Sequence, residues 1–382
     1  MKTLSSATLI ATLLTAATVW GEASGDRPDA RHAWAVHDVN RPDPVKIEAL
    51  PGKPPSDAIV LFDGTAESVT KNWRASNGGP SKWTVKDGLF VCVPSSGPAV
   101  TAEKFADCQL HVEWLSPVGD TIGLGNSGVI FMGIYEIQIL DSSSITPSKS
   151  PWKEANYADG QAGAVYGQNP PLVNPARKPG EWQSYDIIFH PPLWEGDTLI
   201  DPGSVTVFFN GVLVQDAWPF EAGTTWCRRL TRVKHAPEAP LYLQDHGNPV
   251  PFRNIWIRRI PSRFANTTCG GPGVKESDVA ALRAKLAKES LAAAEEATEP
   301  DEKLVRLWEA YGYTPDTAIR DRAQAASLAY AKMIDGWDAA ACAKARNRLA
   351  ALQRFANMLI RQGFIPADSA FAKSVNAACA RR

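Results

Sequence analysis

An acid and an amide share one face of a short predicted strand with the sequence YEIQILD. Because side chains alternate along a strand, Glu136 and Gln138 point to one side, and Tyr135, Ile137 and Ile139 point to the other. A carboxylate can move a proton and an amide beside it can hold a hydroxyl group, so the pair suits a ligand cleft. A solvent-exposed strand face is the commoner outcome for one alternating strand, and it stays the alternative interpretation.

Two further segments supply candidate groups. In CQLHVEWL, Glu113 lies on the polar face of its predicted strand and is a second candidate acid. In PLYLQDHG, Gln244 and His246 share a face, and a turn at residues 248–249 predicts a hairpin that brings Arg253 close to them. A lone histidine is more often structural than catalytic, but this one lies beside glutamine, aspartate and arginine at the predicted hairpin mouth.

Short strands must position these side chains. From residue 59 to about residue 260, apolar segments of strand length alternate with turn residues, and no helical period intervenes. This spacing predicts a mainly β fold, a β-sandwich or jelly roll, over residues 57–262. An NG pair between SVTVFF and VLV predicts a hairpin, and a turn at 132–133 leads into YEIQILD. The glycine- and proline-rich stretch 142–179 is predicted to be an ordered loop over a cleft.

The two ends of the chain differ from this central region. Residues 1–23 combine Lys2, an apolar run and small residues, which predicts a signal peptide and export to the periplasm or the extracellular space. Residues 24–56 are rich in proline and charge and predict an extended arm. Residues 275–382 are rich in alanine and predict an α-helical region in which Ser277 caps the first helix. Packing, self-association or a protein partner are the roles expected of that region.

The totals narrow the class of function. A net charge of −1 gives no broad attraction to nucleic acid or to an anionic membrane. After the signal peptide no segment reaches about 18 apolar residues, so no transmembrane segment is predicted. Six cysteines are compatible with disulfides in an exported protein, and 13 tryptophans suit stacking on sugars as well as core packing.

A series of motifs resembles the 3-keto-disaccharide hydrolase domain family. In chain order they are LFDG, WTVKDGLF, the EW of CQLHVEWL, NSGV, YEIQILD, YADGQAGAVYGQ, PGEWQ, the NG hairpin and LQDHGNPVPFRNI. The resemblance covers about residues 57–260 and does not extend to the helical region. It implies a concanavalin-like jelly roll of two antiparallel sheets, one of them concave and able to hold a sugar. It also implies action on glycosides that are already oxidised at C3.

The chemistry implied by the resemblance sets the roles that residues must fill. A ketone at C3 acidifies the hydrogen on C2, so a base can remove it, the enediolate can expel the C1 substituent, and water can add to the enone. We assign Glu136 or His246 as base or acid, with Glu113 in support. Gln244 and Arg253 are expected to steady the oxyanion. The residues expected to hold the sugar are Asn126, Gln138, Asp141 and Tyr166.

Three alternatives stay open at this point. Glu113 and Glu136 could form the carboxylate pair of an ordinary glycosidase on one concave sheet. A divalent ion that holds the enediolate could be bound by a set made of Glu113, Glu136, Asp141 and His246. The protein could also be a secreted carbohydrate-binding module without catalysis, because jelly rolls host both lectins and enzymes.

Overall fold

The computed structural model describes residues 25–38, 40–119, 124–143, 157–262 and 275–381. The chain divides into two compact units. One unit is Lys46–Ser262, and the other combines Met1–Val45 with Arg263–Arg382. The predicted signal peptide lies outside the described residues. Among the described residues, no helix is both long and apolar enough to cross a membrane.

The unit Lys46–Ser262 is built almost entirely from strands. They are β1 (Ile59–Phe62), β2 (Trp73–Arg74), β3 (Thr84–Lys86), β4 (Leu89–Val91), β5 (Ala99–Phe105), β6 (Cys108–Leu115), β7 (Ser127–Phe131), β8 (Tyr135–Ile139), β9 (Trp182–His190), β10 (Leu193–Glu195), β11 (Thr198–Asp201), β12 (Ser204–Phe209), β13 (Val212–Pro219), β14 (Ala239–Leu243) and β15 (Pro251–Arg259). A short helix, α1 (Ala66–Asn72), follows β1, and Thr65 caps it by accepting from the Ser68 amide.

Two antiparallel sheets form the sandwich. In the described residues the larger sheet has eight strands, with the order β13-β12-β9-β6-β15-β4-β3 and β1 also paired to β15. The smaller sheet has five, in the order β2-β5-β14-β7-β8. Strands β10 and β11 form a separate hairpin. The predicted mainly β, concanavalin-like jelly roll with a C-terminal helical extension is therefore confirmed.

The core lies between the two sheets because each central strand turns its apolar side chains inward. On β6 the fully buried residues are Cys108, Leu110, Val112 and Trp114. Across the interface, the rings of Phe131 on β7 and Phe189 on β9 stack with centroids 4.4 Å apart. Strand alternation then turns the remaining side chains of each sheet to its outer face. The polar residues singled out in the sequence must therefore belong to one of two outer faces that point in opposite directions.

One predicted hairpin is confirmed and another is wrong. Asn210 and Gly211 join β12 to β13 with φ angles of 51° and 78°, as a tight turn with two left-handed residues requires. In contrast, β14 belongs to the five-stranded sheet and β15 to the eight-stranded sheet. The connection across residues 244–250 therefore crosses from one sheet to the other instead of folding back as a hairpin.

The second unit is helical. Its helices are α2 (Glu276–Glu296), α3 (Pro300–Tyr313), α4 (Thr317–Asp335), α5 (Ala339–Lys344), α6 (Arg346–Arg361) and α7 (Ala370–Ala380). Helix α2 begins one residue before the predicted cap Ser277, and its cap position is Lys275, whose side chain makes no capping hydrogen bond. On α6 the apolar stripe predicted from spacing is buried, with Leu349, Leu352, Phe355 and Leu359 in one core cluster.

The N-terminal arm belongs to this helical unit. Trp34 is 7% exposed and shares a core cluster with Val279 of α2 and Tyr313 of α3. The hydroxyl of Tyr313 donates to Asp38 Oδ2 at 2.9 Å. The unit boundary lies at Val45, whereas the sequence predicted an arm through residue 56. Apolar and polar contacts together thus join the arm to the helices.

Candidate functional site

A row of side chains crosses the outer face of the five-stranded sheet. Tyr242 on β14 pairs with Ile130 on β7, and Ile130 pairs with Glu136 on β8. The row continues beyond the sheet edge, where the Tyr166 amide donates to the Glu136 carbonyl at 3.1 Å. The neighbouring Val165 is fully buried in the core, so alternation turns Tyr166 to the same side as Glu136.

The next row on this face places a glycine between two glutamines. Gly128 pairs with Gln138, and the Gln244 amide donates to the Gly128 carbonyl at 2.9 Å. A Cβ built on Gly128 would overlap the Oε1 atom of Glu136 and lie 3.0 Å from its Cδ. The missing side chain thus leaves the space that the Glu136 carboxylate occupies, with Gln138 on one side and Gln244 on the other.

Neighbouring segments cover this polar face at the β8 edge. The Gln138 amide donates to the Ala164 carbonyl at 3.1 Å, and the Glu136 amide donates to Thr224 Oγ1 at the same distance. Glu136 is 8% exposed and Gln138 is 3% exposed. The alternative of a solvent-exposed strand face is therefore wrong. The Glu136 carboxylate and the Gln138 amide are therefore largely shielded from solvent, and electrostatic interactions there are stronger than in water.

The two glutamines offer complementary hydrogen-bonding groups. Gln138 Oε1 accepts from the Ile139 amide at 3.1 Å, which leaves its amino group to donate. Gln244 Oε1 is buried and accepts from no described residue. A buried carbonyl oxygen without a donor costs roughly 1–3 kcal/mol, which a ligand hydroxyl would recover. The rows therefore present a carboxylate flanked by one donor and one acceptor.

Three other predicted residues lie outside the two rows. Asn126 precedes β7 by one residue and is buried. Asp141 follows β8 and accepts from the amide and the hydroxyl of Ser143 at 3.0 and 2.6 Å, so its carboxylate stabilises a local turn. His246 is exposed in the connection that follows β14, and no hydrogen bond joins its imidazole to a described residue. The structure therefore brings Asn126 close to the two rows and leaves His246 in a loop.

Glu113 and Arg253 lie on the other side of the molecule. They face each other on β6 and β15, on the outer face of the eight-stranded sheet. Packed sheets are about 10 Å apart, and these outer side chains point away from Glu136, whereas glycosidase carboxylates lie about 5–10 Å from each other. The predicted pairing of Glu113 with Glu136 on one sheet is therefore wrong. Arg253 likewise cannot share a cleft with Gln244.

The same separation rules out the metal site that was predicted from the sequence. Glu113 cannot join Glu136, Asp141 and His246 around one ion, because it lies on the opposite outer face. Across the described part of the chain, no group of three or more histidine, cysteine, aspartate or glutamate side chains is placed to hold a metal ion. The four residues proposed from the sequence therefore do not converge.

Glu113 instead holds a bulge in β15. Its two carboxylate oxygens accept from Asn254 Nδ2 at 2.8 Å and from Arg253 Nε at 2.6 Å. Asn254 has a φ of 45°, and the pairing register shifts between Arg253 and Trp256. The guanidinium of Arg253 also lies 3.9 Å from the centre of the Trp182 ring. These contacts give Glu113 a role in the fold of this sheet.

We expect Glu113→Ala to lower the free energy of unfolding by about 2 kcal/mol, because two hydrogen bonds to a charged group are lost and Asn254 keeps its strained backbone. Urea unfolding followed by circular dichroism measures the change. Glu103→Ala is the matched control: Glu103 forms an exposed ion pair with Arg259, whose loss should cost less than about 0.5 kcal/mol. Equal stability of the two variants would contradict the assigned role.

His111 gives this face a dependence on pH. Burial opposes its charged form, but the hydrogen bond and charge of Asp186, 2.7 Å away, and the charge of Glu113 outweigh burial, and the pKa of His111 is raised above 6.5. This stabilisation is complete below pH 6.5 and is lost as the pH rises through the raised pKa. Between about pH 6 and about pH 8, the melting temperature should therefore fall more for the native protein than for His111→Gln. Parallel falls would contradict the prediction.

Glu113 makes the stability of the same face depend on pH at the acidic end of the range. Burial alone would raise its pKa, but hydrogen bonds from Asn254 and Arg253 prevail and lower that pKa below 4.5. Its contribution to stability is present above pH 4.5 and is lost as the pH falls through the lowered pKa. The two groups together therefore favour the folded sheet most between these limits.

Comparisons with known proteins agree with this architecture. The family model for the 3-keto-alpha-glucoside-1,2-lyase-like domain matches residues 57–258. A crystal structure from Parabacteroides distasonis ATCC 8503, provisionally described as a glycosyl hydrolase, is 38% identical and has a TM-score of 0.51. The match covers 58% of this chain and 93% of that one. The comparison with curated proteins found no match.

A second crystal structure from the same organism, with the same provisional description, is 23% identical and has a TM-score of 0.41. That match covers 56% of this chain and the whole of the other. The family model spans more than half of the 382 residues and includes both outer faces described above. The chain therefore belongs to the family of 3-keto-alpha-glucoside-1,2-lyase-like domains.

Proposed function

We propose that the protein cleaves glycosides oxidised at C3, by removal of the C2 proton, elimination of the C1 substituent and hydration of the product. The observation that carries the proposal is the Glu136 carboxylate, which lies in the space left by Gly128 between Gln138 and Gln244. A carboxylate next to a donor and an acceptor supplies a base and two groups that orient a sugar ring.

The first step is proton transfer to Glu136. The carboxylate takes the hydrogen from C2, and the electron pair of that bond moves toward C3, so that negative charge develops on the C3 oxygen. The amino group of Gln138 is the donor available to that oxygen, and Gln244 Oε1 accepts from a sugar hydroxyl. The site has little water to compete for these hydrogen bonds because Glu136 and Gln138 are buried.

The second step releases the leaving group. The charge on the C3 oxygen returns to re-form the ketone, a double bond forms between C1 and C2, and the bond from C1 to the aglycone oxygen breaks. That oxygen needs a proton, and we assign the donor as Tyr166, whose backbone adjoins Glu136 in the first row and whose hydroxyl lies 3.2 Å from the Tyr157 hydroxyl. Water then adds its hydroxyl to C1 and a proton to C2, which gives the 3-keto sugar and completes a net hydrolysis.

The test compares a 3-keto-glucoside with its unoxidised parent. Purified protein should release the aglycone from the 3-keto compound, with transient absorbance of the enone, and should leave the parent glucoside intact. A parallel incubation with EDTA tests whether turnover depends on a divalent ion, for which the described residues show no cluster of three carboxylate, imidazole or thiol ligands. Equal cleavage of both compounds would overturn elimination in favour of ordinary glycoside hydrolysis. Binding of either compound without turnover would overturn catalysis in favour of a carbohydrate-binding module.

Residues 1–23 motivate a further part of the proposal, which is export of the enzyme to the periplasm or beyond. Fractionation of cells that express the full chain, followed by mass spectrometry of the N-terminus, tests it. Export predicts a shortened N-terminus in the exported fraction. Full-length protein confined to the cytoplasm would overturn it.

A further inference from the structure

A basic segment, residues 222–235, adjoins the Glu136 row. Its anchor is Thr224, whose amide donates to the Ile134 carbonyl at 2.7 Å and whose hydroxyl oxygen accepts from the Glu136 amide at 3.1 Å. The start of the basic segment therefore contacts the backbone of Glu136, the proposed catalytic residue. Any group that leaves C1 on the Tyr166 side of Glu136 would meet this segment next.

Two arginines in the basic segment differ from its other cations. Arg232 donates to the carbonyls of Pro202 and Phe220, and Lys234 donates to the Gly196 carbonyl at 2.6 Å. Arg228 and Arg229 are exposed, and neither forms an ion pair with a described residue. They follow Cys227, which has a φ of 54°. A left-handed backbone at a residue other than glycine costs energy, so the surrounding structure must hold it in place.

Tyr166 connects these arginines with the proposed catalytic residue. Arg228, Arg229 and Tyr166 line one small pocket, together with Thr225 and Glu221. The pocket has a volume of about 20 Å³, which is room for a single water molecule and too little for a sugar ring. Only the small end of a ligand could therefore enter it. With two arginines against one glutamate, the lining favours an anion.

We infer that Arg228 and Arg229 bind an anionic group on the aglycone, so that the preferred substrates are 3-keto-glycosides with a carboxylate-bearing leaving group. This inference rests on the proposed function. Guanidinium groups pair with carboxylates in a planar, bidentate manner. Trp226, two residues before Arg228, is 63% exposed, and its flat ring could stack on an aromatic aglycone. The substrate class is thus a 3-keto-glucoside of an aromatic hydroxy acid.

The test uses two 3-keto-glucosides that differ only in charge: one has a 4-carboxyphenyl aglycone and the other has the neutral 4-carbamoylphenyl group. We expect the native protein to show the lower KM for the carboxylate. Arg228→Gln/Arg229→Gln should raise that KM about tenfold and change the KM for the amide by less than about twofold. Added salt should weaken only the preference of the native protein.

A matched control separates local recognition from net charge. Lys82→Gln/Lys86→Gln removes two exposed positive charges elsewhere in the same unit and should leave the ratio of the two KM values unchanged. An unchanged ratio in the arginine variant, with both compounds cleaved, would overturn the inference and leave the proposed function intact. If neither compound is cleaved, the proposed function fails. In that case calorimetry gives the dissociation constants of both compounds. Their ratio, compared between the native protein and the arginine variant, then tests the inference in place of the ratio of KM values.

Discussion

Replacing Glu136 with glutamine is expected to lower kcat for a 3-keto-glucoside by about 10²- to 10⁴-fold, the typical contribution of one positioned base. Glutamine has nearly the same shape as glutamate and cannot take up the C2 proton. Two hydrogen bonds at this position, from the Glu136 amide to Thr224 and from the Tyr166 amide to the Glu136 carbonyl, use backbone atoms of Glu136 that the change leaves in place. The fold should therefore tolerate the change, and KM should change much less than kcat.

The matched control is Glu113→Gln, an identical substitution on the opposite outer face. Steady-state kinetics with the same 3-keto-glucoside should give a kcat within about threefold of the native value, because Glu113 contacts Asn254 and Arg253 and not the rows around Glu136. Loss of kcat in Glu113→Gln together with near-native kcat in Glu136→Gln would place the chemistry on the eight-stranded sheet. That outcome would contradict the proposed site.

Gly128→Ala is expected to lower kcat by about 10²-fold, although it adds only a single methyl group. The new Cβ would overlap Glu136 Oε1, so the carboxylate must leave the space between Gln138 and Gln244. A displacement of about 1 Å from the reactive position is enough for a loss of this size. Gly128 has no left-handed backbone that alanine would strain, so the effect should be steric.

Two measurements check the Gly128 prediction. Kinetics with a 3-keto-glucoside should show the loss in kcat, and thermal unfolding should show that the domain remains folded. Gly79→Ala is the control, because its Cβ would meet only the flexible side chain of Asn77 and its φ is also ordinary. Native kcat in Gly128→Ala would mean that the carboxylate does not need this space. The proposed geometry around Glu136 would then be wrong.

Alternation along single strands was enough to predict which side chains are polar and share a face. Glu136 and Gln138 do lie opposite the buried Ile137, and Glu113 does lie opposite the buried Val112. Alternation does not say to which sheet a strand belongs, because that depends on pairing between distant segments. Glu113 and Glu136 therefore looked like partners in the sequence, and the topology places them on opposite outer faces.

The register of β7 against β8 shows a second limit. A turn of two residues at Met132 and Gly133 would pair Phe131 with Ile134. The structure has three residues in this connection, and Phe131 pairs with Tyr135. One residue of slip decides whether Gly128 lies beside Gln138 or beside a core residue, so the space for the Glu136 carboxylate follows from the turn. No residue type in the sequence marks that extra position in advance.

The family resemblance and the structure contribute different parts of the site. The motifs NSGV and YEIQILD identify the strands that carry Gly128 and Glu136, and the family model spans both. The cover over the polar face comes from Tyr166 and Thr224, which are distant from β8 in sequence: the Tyr166 amide donates to the Glu136 carbonyl, and the Thr224 hydroxyl accepts from the Glu136 amide. Such contacts between distant segments leave no pattern in the sequence of β8 itself.

Release of tritium from C2 of a labelled 3-keto-glucoside into water tests the central claim most directly, because it reports removal of the C2 hydrogen whether or not the aglycone then leaves. The account predicts rapid release by the native protein and by Glu113→Gln. It predicts release by Glu136→Gln no faster than in buffer without enzyme. Release by Glu136→Gln at the native rate would contradict the assignment of Glu136 as the base.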